Sequence, residues 1–362
     1  MIRLKSSLPA KPIAFNQSRS SPGSQQGETA MVDHSRQAVV GAIGGTFISL
    51  AIMDIDELTV SNFALLNSRD FKDPMEALGR YLKSVPRIPN KIGLSIAGVV
   101  DGEKATMNHL TWSFGWNDIR AVSGCDHVTF VNEFEALALA APRMTDYDLI
   151  EINRGVSMRD GTRVVVSAGT GLGAAALVRT GDKWHAMSGE SRYASFPAPL
   201  GHEFDIRSVI AHEGFVTAGQ VLTGRGLVAL YTALAKATGD EVANLSPVQI
   251  TKAGLSGEDA AASKSLDLMA TWLGRFAGDV ALHFGATGGV FLAGGLSSGI
   301  VPALQTGRFR DAFEGFGERH EYLGTIPVNV IKAGADAGLR GAAIALADSL
   351  PVRPTKIRQL QA

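Results

Sequence analysis

A single cysteine, Cys125, stands in 362 residues, so the chain has no partner for an intramolecular disulfide and no multi-cysteine zinc site. That usage fits a reducing compartment. The chain also lacks a charge excess. Its 34 basic and 35 acidic residues leave a net charge of −1, whereas nucleic-acid binding as a main task needs a basic surplus. No apolar run approaches the ~20 residues of a membrane span, and no apolar signal-peptide core is found. The expectation is therefore a cytoplasmic protein with neither membrane nor nucleic acid as partner. Aromatic residues, at 7%, are too few for an aromatic-rich binding surface. Glycine is plentiful, at 41 residues without the collagen triplet period, and points to tight turns and close backbone approaches.

What is present is organised. Hydrophobic residues make up 45% of the chain, enough for a large core, and the length predicts about two domains. Residues 1–36 are rich in Ser, Gln, Pro and Gly without hydrophobic period, and read as a disordered leader, with Met31 as an alternative start. From Gln37 the pattern changes. Ala38–Ile43 and Phe47–Met53 read as strands joined by Gly44-Gly45-Thr46. A helix is expected over Pro74–Ser84, and strands over Ile92–Val99 and Val128–Val131. Asn132 is placed as the N-cap of a helix over Glu133–Ala141, stopped by Pro142. The theme then repeats: Arg163–Ala168 and Ala174–Val178 read as strands around Gly169-Thr170-Gly171-Leu172-Gly173. A long helical pattern covers Asp259–Leu282, a strand covers Gly289–Ala293, and a final Ala-rich helix covers Gly338–Leu350. Alternating strands and helices in two similar halves predict an α/β fold of two lobes. The expected divisions are a small domain at 37–143 joined by the C-terminal helix at 336–350, a large domain at 144–335, and a tail at 351–362.

The Gly-Thr turns carry chemistry. Their backbone N–H groups are unobstructed and can cradle an anion, and each Thr adds a hydroxyl donor. Two copies in matching places, with a third Gly294-Gly295 turn, suit two lobes clamping one polyphosphate. Neither turn is a Walker motif, because no Gly-Lys-Ser/Thr follows. Neither is a dinucleotide fingerprint, because a strand follows rather than a helix.

The order of motifs resembles the bacterial glucokinases, ATP-dependent hexose kinases of the actin-like, RNase H-like superfamily. Gly41-Ala42-Ile43-Gly44-Gly45-Thr46 is similar to the family's first phosphate motif, and Ala168–Gly173 to its second. Gly288–Leu296 resembles the adenosine-side strand and turn. Leu222–Leu227 matches a Leu-Ser-Gly-Pro-Gly-Leu segment, Val131–Phe134 an Asn-Asp-Phe catalytic segment, and Gly189-Glu190 the start of a sugar segment. The resemblance spans about Gln37–Leu350. It implies a two-lobed actin-like ATPase fold with a cleft between the lobes.

It also implies a site. ATP would contact Gly41, Gly44, Gly45, Thr46, Gly169, Thr170, Gly171, Gly173, Gly294 and Gly295. Glu133 stands where the family has its catalytic Asp, although a first-turn acid favoured by the helix dipole is the plainer reading of that residue alone. Asn132, Glu190, Tyr193 and His109 fall at sugar-contact positions, and a further sugar acid falls at Glu213 or, without a gap, at His212. Tyr193 replaces a His and His109 an Asn. Ala42 replaces the Asp that would anchor Mg²⁺, Phe47 an Asn, and Ser49 an Arg. No metal ligand is therefore assigned, and Mg²⁺ is expected to ride on the ATP phosphates. The leading expectation is transfer of phosphate from ATP to the 6-hydroxyl of glucose or a similar hexose. These departures support two others: a sugar- and nucleotide-binding protein with impaired catalysis, and a kinase for another polyol or amino sugar. A homodimer is compatible with the resemblance, though no interface signal is visible.

Overall fold

The structure is a computed structural model. It describes residues 34–350 apart from 109, 198–203, 211–214, 240–241, 316 and 333–335. The expected leader up to residue 33 and the tail from 351 lie outside the described residues.

The first lobe opens with β1 (Gln37–Ile43), β2 (Phe47–Asp54) and β3 (Val60–Asn67), followed by α1 (Pro74–Leu82). Asp73 caps α1 by accepting from the Glu76 N–H, and Pro74 takes the first helical position, where its missing N–H costs nothing. Next come β4 (Lys91–Ile96), β5 (Gly98–Asp101), β6 (Lys104–Met107), β7 (Ser113–Gly115), α2 (Trp116–Ser123), β8 (His127–Asn132) and α3 (Glu133–Ala140). The main sheet runs β3-β2-β1-β4-β8, and β5-β6-β7 form a small sheet of their own. β1 pairs antiparallel with β2 and parallel with β4, so Ile43 faces Ile48 on one side and Ile96 on the other. The single strand expected over Ile92–Val99 divides at Ala97. Its N–H is taken by the Ile43 carbonyl and its own carbonyl by the Asn108 N–H, so the chain leaves one sheet and enters the next.

The second lobe holds β9 (Leu149–Asn153), β10 (Arg163–Ala168), β11 (Leu172–Thr180), β12 (Lys183–Gly189), β13 (Gly289–Ala293) and β14 (Val328–Ile331). They form a sheet of order β12-β11-β10-β13-β14-β9. Its helices are α4 (Arg207–Ile210), α5 (Ala218–Val221), α6 (Gly224–Thr238), α7 (Pro247–Ser256), α8 (Ala260–Phe284), α9 (Gly294–Gly299), α10 (Val301–Leu304), α11 (Arg308–Glu314) and α12 (His320–Gly324). The chain then returns as α13 (Ala337–Ser349) to pack across β1, β4 and β8.

The layers follow from which faces are apolar. α1 and α2 cover one face of the first sheet, with Leu78, Tyr81 and Ile119 buried against Ile48, Leu50 and Leu94. On the other face α13 buries Leu339, Ala343 and Leu346 against Val40 and Met53. α3 lies on the second sheet and crosses α13. Small residues let the two helices touch: a Cβ on Gly341 would stand 1.9 Å from the Ala136 carbonyl oxygen. The outer face of the second sheet is buried under α6 and α8, where Leu230, Trp272 and Leu273 are almost fully enclosed. β1, β4, β10 and β13 therefore read as near-continuous apolar runs, as strands covered on both faces must. No helix among the described residues is long and apolar enough to cross a membrane.

Candidate active site

The β1–β2 turn and the β10–β11 turn face each other across a cleft of about 620 Å³. Gly44, Gly45 and Thr46 line one wall, Gly169, Thr170 and Gly171 the other, and Gly294-Gly295 close one end. Each turn is braced. The buried Ser68 hydroxyl donates to the Gly44 carbonyl at 2.7 Å, and its N–H donates to the Thr46 carbonyl at 2.9 Å. Across the cleft, the first N–H of α6, on Gly224, donates to the Gly169 carbonyl at 2.9 Å.

Two expected phosphate contacts have another place. Gly41 and Gly173 do not line the cleft. A Cβ on Gly41 would press into Leu94 and Leu50, and one on Gly173 would lie 2.1 Å from the Phe134 ring. Both glycines are required by packing behind the turns. Ala42 is also off the lining, with its methyl turned toward Gly338 of α13.

Glu133 is the first residue of α3 and enters the cleft. Surrounding protein strips water from its carboxyl and pushes its pKa up from 4.5 to about 7. Burial thus outweighs the helix dipole, which would act the other way. Asn132 sets the register. Its Oδ1 accepts from the Phe134 N–H at 2.9 Å, capping α3, and its Nδ2 donates to the Gly98 carbonyl at 2.8 Å. Instead of two free ends for a sugar, Asn132 keeps one N–H and one lone pair. Glu135, two residues on, accepts from the Ser188 hydroxyl at 2.8 Å and so ties α3 to β12, whose end carries Glu190. Glu190 lines the cleft as an exposed carboxylate.

Tyr193 is 61% exposed and is not among the lining residues; the Arg192 guanidinium lies over its ring at 5.0 Å. His109, His212 and Glu213 lie outside the described residues. Sequence reasoning missed Asn108, Arg69, Arg192 and Arg225, which all line the cleft. Asn108 adjoins the expected His109, Arg192 lies between Glu190 and Tyr193, and Arg225 interrupts the quoted Leu222–Leu227 segment. Arg69 sits in no motif.

A second cavity of about 840 Å³ continues from the cleft past Gly169, Thr170, Arg225 and Gly295. Its far wall is apolar, formed by Pro247, Val248, Leu255 and Leu296 beside Thr251 and Lys252. Among the described residues no cluster of three His, Cys, Asp or Glu could hold a metal ion. Residue 42 offers a methyl, and no oxygen, to a Mg²⁺ ion. The arrangement suits an elongated anion held between glycine turns, with a neutral polyol placed against a carboxyl of raised pKa.

Comparison with known proteins agrees with this geometry. The family model described as Glucokinase matches residues 39–349. A glucokinase from Chelativorans sp. is 37% identical over 295 residues, covering 81% of this chain and 86% of the relative. The crystal structure of a glucokinase from an Antarctic psychrotroph superposes with a TM-score of 0.77 at 29% identity, over 87% of this chain and 99% of that one. A Balamuthia mandrillaris glucokinase, solved in complex with glucose, shares the fold with a TM-score of 0.74 at 18% identity, over 86% of this chain and 94% of that one.

Proposed function

The chain belongs to the glucokinase family, and on that premise we propose that it transfers the γ-phosphoryl group of ATP to the 6-hydroxyl of glucose, with Glu133 as the base. The observation that carries the assignment is the Glu133 carboxyl, set at the head of α3 between two glycine turns with its pKa near 7. A base works best when its pKa lies near the working pH. The sugar hydroxyl oxygen attacks the γ-phosphorus. The bond from that phosphorus to the β–γ bridging oxygen breaks, and its electron pair leaves with ADP. The hydroxyl proton passes to Glu133.

The remaining residues position the reactants. Backbone N–H groups of Gly45, Thr46, Thr170 and Gly171 hold the phosphates, those of Gly44 and Gly169 being spent inside the turns on the Phe47 and Gly171 carbonyls, and the apolar cavity beyond Arg225 takes the adenosine. Glu190 and Asn108 accept and donate to sugar hydroxyls, joined by the one free N–H of Asn132. Mg²⁺ enters as part of the nucleotide substrate and screens its phosphates. Two lobes around a common cleft limit water at the phosphorus. A cytoplasmic location accords with the single cysteine of the chain.

The test is formation of glucose 6-phosphate by the full chain at saturating MgATP and glucose. Turnover within the ~1–100 s⁻¹ of ordinary kinases is expected. Folded protein without turnover on glucose or any hexose of a panel would overturn the assignment and leave a sugar- and nucleotide-binding protein.

A further inference from the structure

We propose that Arg69 is a nucleotide-phosphate ligand that neutralises charge at the first glycine turn, a role that deepens the kinase reading and rests on it. Three successive residues are held against that turn. Asn67 pairs across the sheet with Phe47, immediately after the turn. Ser68 is fully buried and grips the turn through the Gly44 and Thr46 carbonyls. The Arg69 N–H donates to Asn67 Oδ1 at 3.0 Å, which fixes the backbone from which the side chain leaves. That side chain lines the cleft beside Gly44, Gly45 and Thr46.

Its guanidinium has no acidic partner among the described residues, unlike Arg36, Arg154, Arg179 and Arg340, each paired to a carboxylate. An exposed cation on the wall of the cleft raises the local potential for an anion. Its planar fork of N–H groups matches phosphate oxygens. No carboxylate lines the cleft on this side: Ala42 of β1 carries a methyl, the neighbouring Asp70 is off the lining, and Glu133 and Glu190 belong to the other elements of the cleft. Among the described lining residues, the first turn therefore offers backbone N–H groups and one guanidinium to the cleft, and no carboxylate. Phosphoryl transfer depends mainly on positioning and charge neutralisation, so a cation held there acts on the transfer itself.

The experiment compares wild type, Arg69→Ala, Arg69→Lys and, as a control, Lys72→Ala, an exposed cation three residues on that does not line the cleft. Arg69→Ala is expected to lower kcat/KM for ATP by about 100-fold or more, with glucose KM within about twofold. Arg69→Lys recovers only part of the loss, because the charge returns without the fork. Millimolar guanidinium restores Arg69→Ala at least about tenfold and leaves wild type and Lys72→Ala unchanged. ATP affinity by calorimetry is read alongside and falls in Arg69→Ala whether or not glucose is turned over. Inactive wild type would strike the kinase assignment, while the calorimetry would still decide Arg69. An Arg69→Ala protein within about threefold of wild type in both ATP affinity and kcat/KM would overturn the proposal.

Discussion

Replacing Glu133 by Gln keeps the side-chain shape and removes its charge, and two effects of opposite sign follow. Without a base, kcat falls by on the order of 100- to 10,000-fold. Stability moves the other way. The carboxyl sits near 7 in the folded chain against 4.5 ordinarily, so holding it ionised in the fold costs at most about 3 kcal/mol. The side chain stays partly accessible, and solvent screening lowers that figure. The sign follows from the raised pKa. Below pH 4.5 the carboxyl is protonated in both folded and unfolded chains, and the penalty is absent; above about pH 7 it is complete. Glu133→Gln escapes it, so its melting temperature at pH 8 exceeds that of wild type by a few degrees, and the two coincide near pH 4.5. Wild-type kcat itself falls roughly tenfold per pH unit below 7 as the base protonates. A coupled assay for glucose 6-phosphate with excess coupling enzyme at each pH, together with calorimetric melting, reads all three. The reasoning is refuted if the variant keeps more than about a tenth of wild-type kcat, or if its melting advantage does not grow between pH 4.5 and 8.

Two further perturbations probe the scaffold and the rim. Gly341→Ala drives a Cβ to 1.9 Å from the Ala136 carbonyl oxygen, with helical backbone on both sides; the cost is about 3 kcal/mol or more, read as a lower denaturant midpoint. Tyr193→Phe removes a hydroxyl from an exposed side chain off the cleft lining, so glucose KM stays within about twofold; a larger rise would return Tyr193 to the sugar site.

The paired strand–turn–strand units were legible because a Gly-Thr turn between two apolar runs is a local pattern, and both appear as β1–β2 and β10–β11. The helix expected over Glu133–Ala141 forms with its Asn132 cap, and Pro142 leads into a single 3₁₀ turn over Ala141–Arg143. The small β5–β7 sheet was not legible. Its strands are three or four residues long and half exposed, so their periodicity is too short to register. Within the site, motif spacing pointed to Glu133, Glu190 and the glycine turns, because those residues follow directly on strand ends. Gly41 and Gly173 fell beside the same turns in sequence, yet what decides their role is the side chain packed behind them. Arg69 reaches the cleft only because β3 pairs with β2 and carries Asn67 over the turn, a fact of sheet register that no local motif encodes.

At Gly341 the crossing of α3 and α13 brings backbone against backbone, with no side chain on Gly341 to hold them apart. It lies at Ala136, three residues from Glu133, or about 4.5 Å along the helix. Such a contact is a fulcrum placed almost under the base. If the lobes swing about it by ~10°, the Glu133 backbone is carried less than ~1 Å, by the same 4.5 Å arm, while parts of the rim farther from the fulcrum sweep proportionally farther. Any such swing would open the mouth for a hexose by more than it displaced the base.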